Sequence, residues 1–308
     1  MYEVQEVNGD YEIKSIYLPK VATIVDKRIM TPLDILFELK VKDREFWYSP
    51  GQFVELSVPG IGEAPFFIAS LPTDDNRFEV VIRRLGTLTK ELFSLQIGDT
   101  IGIRGPYGNP LAMGDMRGKS LLFVAGGLGM ATVRPVLQYI LQNRDQYKHV
   151  SLLYGCEHPS QRLFVDDLSS WKMRDDIEVH ESVDTTDLSQ YLELCHMDLS
   201  YSGLINEWKS KEWSENIGVI TTLFPRLNNI IPEESYAIVV GPPVMYKYVI
   251  LNLRDLGFSD SHIIVSLERR IRCGLGKCGH CQMNNIYVCR EGPLFYFSDI
   301  NQIREAFE

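Results

Sequence analysis

The distribution of hydrophobic and polar positions divides the chain into two halves. Between residues 18 and 112, short segments alternate in polarity and are separated by turns such as Pro50-Gly51 and Gly105-Pro106. Alternation with a period of two is typical of strands that bury one face. Strands are predicted at 22–25, 35–41, 52–58, 66–69, 78–83 and 100–104, and one helix at 87–95. Many short antiparallel strands with a single helix indicate a small β-barrel.

After residue 118, continuous hydrophobic runs replace the alternation. The runs at 120–125 and 150–154 each lead into glycine, and residues 131–143 between them have a helical pattern with Pro135 expected in the first turn. Buried strands that alternate with helices indicate a parallel sheet of the doubly wound type. Residues 184–216 are polar and are predicted to form a surface insertion. Further strands are predicted at 177–180, 218–221 and 236–240.

Composition narrows the possible functions. There are 31 lysines and arginines against 41 aspartates and glutamates, a formal charge of −10, which argues against nucleic-acid binding. A hydrophobic content of 45% and a charged content of 23% are typical of a globular protein. The first residues are polar and the longest hydrophobic stretch, 121–133, is too short to cross a bilayer. We therefore expect a cytoplasmic protein with neither a signal peptide nor membrane insertion.

Four of the six cysteines are clustered near the C-terminus. Cys273, Cys278, Cys281 and Cys289 have the pattern C-x4-C-x2-C-x7-C, and the first three match the spacing of plant-type 2Fe–2S ferredoxins. Glycines between them allow backbone N–H groups to approach the sulfurs, and the surroundings are basic. A zinc site is the first alternative, although zinc sites usually pair two C-x2-C elements and only one occurs here. Disulfides are the second alternative, and His280 is interpreted as a surface or hydrogen-bonding residue rather than a ligand.

Three strand ends in the second half are candidates for dinucleotide binding. The glycines after strand 120–125 precede a helix, so bare N–H groups and a helix N-terminus can face a diphosphate. In a doubly wound sheet the carboxyl ends of the strands lie at one edge, where nucleotides bind. An ordinary strand-to-helix turn is the alternative. The candidates at this edge are Gly126, Gly127, Gly129, Met130, Tyr154, Gly155, Gly241, Pro242 and Pro243.

The barrel half has two features that could bind a diphosphate or a flat ring. Residues 86–89 (Gly-Thr-Leu-Thr) open the predicted short helix with N–H groups and hydroxyls that could hold a diphosphate, although an ordinary capped helix would have the same pattern. The adjacent aromatic residues Phe66 and Phe67 must lie on opposite faces of a strand. One of them could lie against a flat ring, or both could belong to the core.

These motifs, in this order, resemble the ferredoxin–NADP reductase superfamily. More narrowly, they are similar to the gamma (flavin) subunit of cytosolic NiFe hydrogenases, or sulfhydrogenases. The electron-transfer subunits of anaerobic sulfite reductase and of bacterial dihydroorotate dehydrogenase are also similar. The resemblance covers about residues 16–300. It is carried by the segments 62–65, 82–86, 103–108, 125–131, 241–249 and 267–270, the last leading into Cys273.

The resemblance implies the architecture and the cofactors. After an N-terminal arm at 1–15, it implies a FAD-binding β-barrel at 16–115, a doubly wound parallel α/β domain for NAD(P)H at 116–264, and a 2Fe–2S module at 265–308 held by the four cysteines. The chain would move electrons between NAD(P)H, FAD and the cluster, and on to or from the iron–sulfur and catalytic subunits of a larger oxidoreductase. No catalytic acid, base or nucleophile is implied.

Other functions are compatible with the same motifs. The chain could serve an anaerobic sulfite reductase or a dihydroorotate dehydrogenase, or act alone as an NAD(P)H:ferredoxin-type reductase. Outside the enzymes, a scaffold with zinc at the four cysteines is the alternative.

The flavin motif departs from the family pattern. The family's Arg-x-Tyr-Ser sequence falls on residues 64–67, where Phe66 can lie beside the isoalloxazine. Alanine at position 64 replaces the family arginine that contacts the diphosphate, and phenylalanine at position 67 replaces the serine whose hydroxyl lies near the reactive ring nitrogen. The diphosphate is therefore expected to depend on Arg83, Arg84 and the start of the helix at residues 86–89. The implied flavin residues are Ala64, Pro65, Phe66, Phe67, Ile82, Arg83, Arg84, Gly86, Thr87, Leu88 and Thr89.

Overall fold

The structure, a computed structural model, describes residues 2–7, 10–42, 46–187, 213–267 and 269–307. The polar N-terminal segment forms an antiparallel pair of strands, β1 (Tyr2–Val7) and β2 (Asp10–Ser15). Most of the predicted insertion at 184–216, together with Cys195, lies outside the described residues.

Six antiparallel strands form the first large sheet, in the order β6-β5-β8-β3-β4-β7. A bridge between Ile68, just after β6, and Val80 on β7 joins the two edges, so the sheet closes into a barrel. All six predicted strands are present, and the barrel is confirmed. The elements are β3 (Lys20–Ile29), β4 (Asp34–Val41), β5 (Phe53–Val58), β6 (Gly62–Phe67), β7 (Arg77–Arg83), the helix α1 (Thr87–Ser94) and β8 (Thr100–Tyr107).

A seven-stranded sheet forms the second half, in the order β12-β11-β10-β9-β13-β14-β17, parallel except for β17. Its central strand, β9, is buried at every position because helices cover both faces of the sheet. Helices α2 and α3 pack on one face, and α4 with the 3-10 helix Ile220–Arg226 packs on the other. The elements are β9 (Ser120–Gly126), α2 (Gly129–Gln142), β10 (Val150–Cys156), α3 (Val165–Lys172), β11 (Glu178–Val183), β12 (Asn216–Ile217), β13 (Ser235–Val240), α4 (Pro243–Asp255) and β14 (Ile263–Ser266).

Two local predictions in this half are wrong. The predicted strand 218–221 does not form, because Gly218 has a φ of +137° and ends β12, and the 3-10 helix begins at Ile220. Pro135 lies inside α2 rather than in its first turn, because the helix begins at Gly129.

The cysteine segment connects two strands that pair with each other. β14 pairs antiparallel with β17 (Leu294–Tyr296), with Ser266 opposite Leu294. The Leu267 N–H donates to the Pro293 carbonyl at 2.9 Å, so the two ends of this connecting segment are bonded to each other. The segment contains β15 (Gln282–Met283), β16 (Ile286–Tyr287) and α5 (Val288–Glu291), and α6 (Phe297–Ile300) follows β17. No helix among the described residues is long and apolar enough to cross a membrane.

Candidate functional site

The loop around the cysteines directs backbone N–H groups at sulfur. Leu275 and Lys277 each donate to Cys273 Sγ at 3.4 Å, and Gly276 donates to Cys289 Sγ at 3.1 Å. Gly274 and Gly276 have φ values of +70° and +67°, a left-handed conformation that glycine adopts most easily. The loop is therefore shaped to stabilise negative charge on sulfur.

The thiol pKa values reflect this environment. Burial alone would raise the pKa of Cys273, but the N–H groups of Leu275, Lys277 and Cys278 outweigh it and lower the pKa to about 6. Burial and a hydrogen bond with Cys281 raise the pKa of Cys289 to about 12. A thiol with a lowered pKa is the readier metal ligand, because the thiolate is the form that binds.

The side chains of Cys273 and Cys278 interact, as do those of Cys281 and Cys289, and Cys273 also lies near enough to Cys289 to contribute to the rise of its pKa. All four are free thiols, and no three metal-ligating side chains converge on one point in the described part of the chain. Two pairs suit two iron atoms with two cysteine ligands each, whereas a single zinc would draw four sulfurs around one centre. The donor set therefore fits a 2Fe–2S cluster. Cys281 and Cys289 are buried, whereas Cys278 is exposed, as is His280.

The carboxyl edge of the parallel sheet brings the predicted glycines together. Gly127 has a φ of +52°, and a side chain there would meet only open space. Gly129 is a packing position, because a Cβ atom on it would lie 2.2 Å from the Val240 carbonyl oxygen. Gly126 and Gly241 both pack against Met245. At this edge of the sheet, Gly126, Gly129 and Gly241 are therefore closely packed, and Gly127 faces open space.

Other residues of the nucleotide prediction have different surroundings. Tyr154 is buried, and its hydroxyl accepts a hydrogen bond from the Leu163 N–H at 3.0 Å, so its side chain belongs to the core and not to the edge. Met130 is also fully buried, and Gly155 packs against Ile220. Pro242 and Pro243 are exposed at the start of α4; neither has an N–H group, and the Met245 N–H donates to the Pro242 carbonyl at 2.9 Å.

The two aromatic residues of the flavin strand lie on opposite faces of β6. Phe66 packs on the barrel core, whereas Phe67 packs on the core shared by the second sheet and the cysteine module. Phe67 lies directly opposite Phe53 on β5. Ala64 and Pro65 lie on the same strand and are half-buried.

Several residues predicted to hold the flavin diphosphate are already engaged. Arg83 donates from Nε and Nη2 to both carboxylate oxygens of Asp34, at 2.8 and 2.9 Å, and to Gln161 at 3.3 Å. The Thr89 hydroxyl accepts the N–H groups of residues 85 and 86, so it caps α1 rather than facing a ligand. Ile82 is fully buried in the barrel core. Gly86 and Thr87 are exposed at the start of the helix, the exposed Arg84 lies over the Phe93 ring at 5.9 Å from its centroid, and Leu88 packs on the barrel core.

Sequence reasoning missed a polar cluster between the barrel and the cysteine loop. Glu55 and Arg104 are buried neighbours on β5 and β8, and Glu63 and Tyr107 both contact Arg104. One sequence feature pointed to this cluster, the charged residue Glu55 among the hydrophobic residues of the predicted strand 52–58. Arg104 also donates to the Cys273 carbonyl at 2.9 Å, which no local pattern could indicate.

Three family models together match most of the chain. The Oxidoreductase FAD-binding domain matches residues 23–110, and the Oxidoreductase NAD-binding domain matches residues 123–250. The Iron-sulfur cluster binding domain of dihydroorotate dehydrogenase B matches residues 268–301. The chain is thus an NAD(P)H-dependent flavin oxidoreductase subunit whose cofactors are FAD, NAD(P)H and an iron–sulfur cluster.

Solved structures support the fold. The structure of NADH-dependent reduced ferredoxin-NADP oxidoreductase, described in relation to flavin-based electron bifurcation, has a TM-score of 0.69 and 22% identity. The match covers 94% of this chain and 92% of that chain. Phthalate dioxygenase reductase has a TM-score of 0.56 and 16% identity, over 79% of this chain and 66% of that chain. The ferredoxin–NADP reductase-like fold is confirmed.

Curated relatives span nearly the whole chain. Sulfhydrogenase 2 subunit gamma of Pyrococcus furiosus is 39% identical over 290 residues, which are 90% of this chain and 94% of the relative. Sulfhydrogenase 1 subunit gamma of the same organism is 33% identical and covers 88% of each chain. A probable dihydroorotate dehydrogenase B electron transfer subunit of Methanocaldococcus jannaschii is 29% identical, over 86% of each. At this identity and coverage, the chain belongs to the family of the sulfhydrogenase gamma subunits and is a flavo-iron–sulfur electron-transfer subunit of a multi-subunit oxidoreductase.

Proposed function

We propose that this chain connects NAD(P)H to the catalytic subunits of a hydrogenase-type complex through FAD and a 2Fe–2S cluster. The observation that carries this proposal is the packing between the flavin strand and the cysteine loop. The ring centroids of Phe67 and Phe53 are 6.5 Å apart, and those of Phe53 and Tyr107 are 5.9 Å apart. Gly274, beside Cys273, packs so closely on Tyr107 that a Cβ atom would lie 2.4 Å from its ring. Densely packed side chains therefore join the two proposed cofactor sites.

Each proposed cofactor has a defined place in this arrangement. The isoalloxazine would lie along the strand that carries Phe66 and Phe67, with its diphosphate at the start of α1. The nicotinamide nucleotide would bind across the open side of Gly127, towards the exposed turn at Pro242 and Pro243. The four cysteines would hold the cluster.

The roles of the protein groups follow from their contacts. When bound, FAD accepts electrons from the nicotinamide as a hydride and returns them singly, which the cluster requires. The N–H groups at Cys273 and Cys289 stabilise charge on sulfur, and the closely packed aromatic residues exclude water between the sites. No side chain needs to act as a general acid or base.

The exposed edge of the cysteine loop is the proposed docking point for the partner. Cys278 is exposed, and so are the neighbouring cations Arg272 and Lys277. We infer that the iron–sulfur and catalytic subunits of the complex receive or deliver electrons here. Thiolate ligands and free cysteines suit a reducing compartment, so the proposed location is the cytoplasm.

A dihydroorotate dehydrogenase catalytic subunit is the second candidate partner. It is favoured by the match of residues 268–301 to the iron–sulfur domain of that enzyme and by relatives of that name at 29% identity. The two candidates differ in the subunits that accompany the chain when it is purified from its native source.

Anaerobic purification tests the proposal. The expected preparation is brown-yellow, with flavin and about two irons per chain, and contains hydrogenase-type subunits. Subunits of a dihydroorotate dehydrogenase would favour the second candidate. A colourless preparation with one zinc per chain would contradict both.

A cysteine substitution tests the order of the sites. Cys278→Ser should remove the cluster absorbance, because it deletes one ligand, while NAD(P)H still bleaches the flavin. Cys156→Ala is the matched control, since Cys156 is a free cysteine of the second sheet. It should leave both signals in place. Loss of flavin reduction in Cys278→Ser would show that the sites are not connected in series.

A further inference from the structure

Arg104 connects the barrel to the first cysteine ligand. It lies on β8 with only 7% of its surface exposed. Its guanidinium donates from Nη1 to the Cys273 carbonyl at 2.9 Å and to the Tyr107 hydroxyl at 3.0 Å. From Nη2 it donates to the Arg272 carbonyl at 3.3 Å. The residues that lead into the cysteine loop are thus held on the barrel by one side chain.

Glu63 holds the opposite side of the same guanidinium. Arg104 Nε and Nη2 donate to the two Glu63 carboxylate oxygens at 2.8 and 2.6 Å. With the bonds to Tyr107, Cys273 and Arg272, this pair uses all five N–H donors of the guanidinium. Such saturation fixes the plane of the group, which a lysine ammonium could not reproduce.

Charge at this position is nearly balanced. Glu55, the neighbour of Arg104 across the sheet, is buried, and neither of its carboxylate oxygens has a hydrogen-bond partner in the part of the chain that the structure describes. Burial, with the nearby Glu63 charge, raises the pKa of Glu55 to about 8, so Glu55 is mostly protonated at neutral pH. The remaining charges are the Arg104 cation and the Glu63 anion, and of the two it is the cation that bonds to the Cys273 backbone.

A charge bonded to the backbone of a ligand can affect the cluster that the ligand holds. The reduction potential of a cluster depends on nearby charge and hydrogen bonds, because reduction adds an electron to an already negative group. Resting on the proposed function, we propose that Arg104 is a positioning residue for electron transfer. It fixes Cys273 on the flavin barrel, and its charge, opposed by that of Glu63, sets the reduction potential of the cluster held there.

Two variants of opposite charge test the proposal. Spectroelectrochemical titration of the purified full chain measures the cluster potential in each. Arg104→Gln removes a cation and should lower the potential, whereas Glu63→Gln removes an anion and should raise it. Arg104→Lys keeps the charge, so its potential should stay nearer to the wild-type value than that of Arg104→Gln.

The matched control is Arg162→Gln. Like Arg104, Arg162 donates to both oxygens of a carboxylate, in this case the buried Glu181, but it lies in the loop after β10, in the second domain. Its removal should leave the cluster potential unchanged. The electrostatic role would be overturned if the cluster potential shifted in the same direction in Arg104→Gln and Glu63→Gln, or did not shift in either. A loosened loop alone would change the potential without regard to the sign of the charge that was removed.

Hydrogen–deuterium exchange tests the mechanical role and needs no cofactor. Amides of residues 271–278 should exchange about tenfold faster or more in Arg104→Gln and Arg104→Lys, since several buried hydrogen bonds are lost. Arg162→Gln should leave them unchanged. Equal exchange in all variants would overturn the proposal. Absence of iron and flavin from the wild-type chain would instead refute the proposed function. If Arg104→Gln does not fold, the potential of Glu63→Gln still tests the electrostatic role, because that variant keeps Arg104.

Discussion

Glu55 is expected to make the stability of the barrel depend on pH. Its side chain is fully buried, and neither carboxylate oxygen has a hydrogen-bond partner among the described residues. Burial raises its pKa from 4.5 to about 8, reinforced by Glu63 and opposed by Arg104. The native state therefore binds more protons than the unfolded chain between these two pKa values, and the free energy of unfolding decreases as the pH rises through this window.

The size of the effect follows from the shift. Each pKa unit corresponds to about 1.4 kcal/mol, so this residue alone should reduce the free energy of unfolding by roughly 3 kcal/mol between about pH 5 and about pH 8. Glu55→Gln has nearly the same shape but cannot ionise. The variant should therefore lose this contribution to the pH dependence, and its stability relative to the wild type should increase as the pH rises.

Urea denaturation at a series of pH values, followed by circular dichroism, measures this difference. Glu91→Gln is the control, because Glu91 is an exposed carboxylate on α1 of the same domain. It should leave the pH dependence as in the wild type. Parallel curves for wild type and Glu55→Gln between about pH 5 and about pH 8 would refute the reasoning that Glu55 is buried as a neutral acid.

Two glycine positions give further predictions, each with a matched control. Gly127→Asn places a side chain in the open space at the nucleotide edge and should raise the KM for NAD(P)H about tenfold or more, measured by flavin bleaching. Gly118→Asn, also at positive φ and facing open space but at the other end of β9, should leave it unchanged, and equal effects would place the nucleotide elsewhere. Gly274→Ala should lower the iron content and destabilise the protein by about 1–3 kcal/mol more than Gly276→Ala, because its Cβ atom meets the Tyr107 ring. Similar iron content in the two variants would contradict this assignment.

Local patterns were sufficient to predict most of the architecture. The hydrophobic run of β9 and the alternating strands of the barrel specify their burial directly, because each pattern is contained in a few consecutive residues. The cysteine spacing is equally local. The β14 strand was not predicted, since four residues following a short 3-10 helix give too little periodicity.

Contacts between distant residues could not be predicted. Arg104 is 41 positions from Glu63 and 169 from Cys273, and only the closed barrel and the returning strand bring them together. The same holds for Arg83, which was expected to face a diphosphate but is paired with Asp34 on the neighbouring strand. Tyr154 was assigned to the nucleotide edge because it ends a strand, yet alternation turns its side chain into the core.

The pairing of β14 with β17 determines how the cysteine module is attached to the rest of the protein. With Ser266 opposite Leu294, residues 267–293 are topologically the loop of a β-hairpin, not a domain on a flexible linker. Both of its ends are fixed by the sheet, so it cannot swing between electron donor and acceptor as a tethered carrier does. It is also not a separable part, because Met283, Val288 and Cys289 are buried in the core that it shares with the second sheet, and its removal would expose that core.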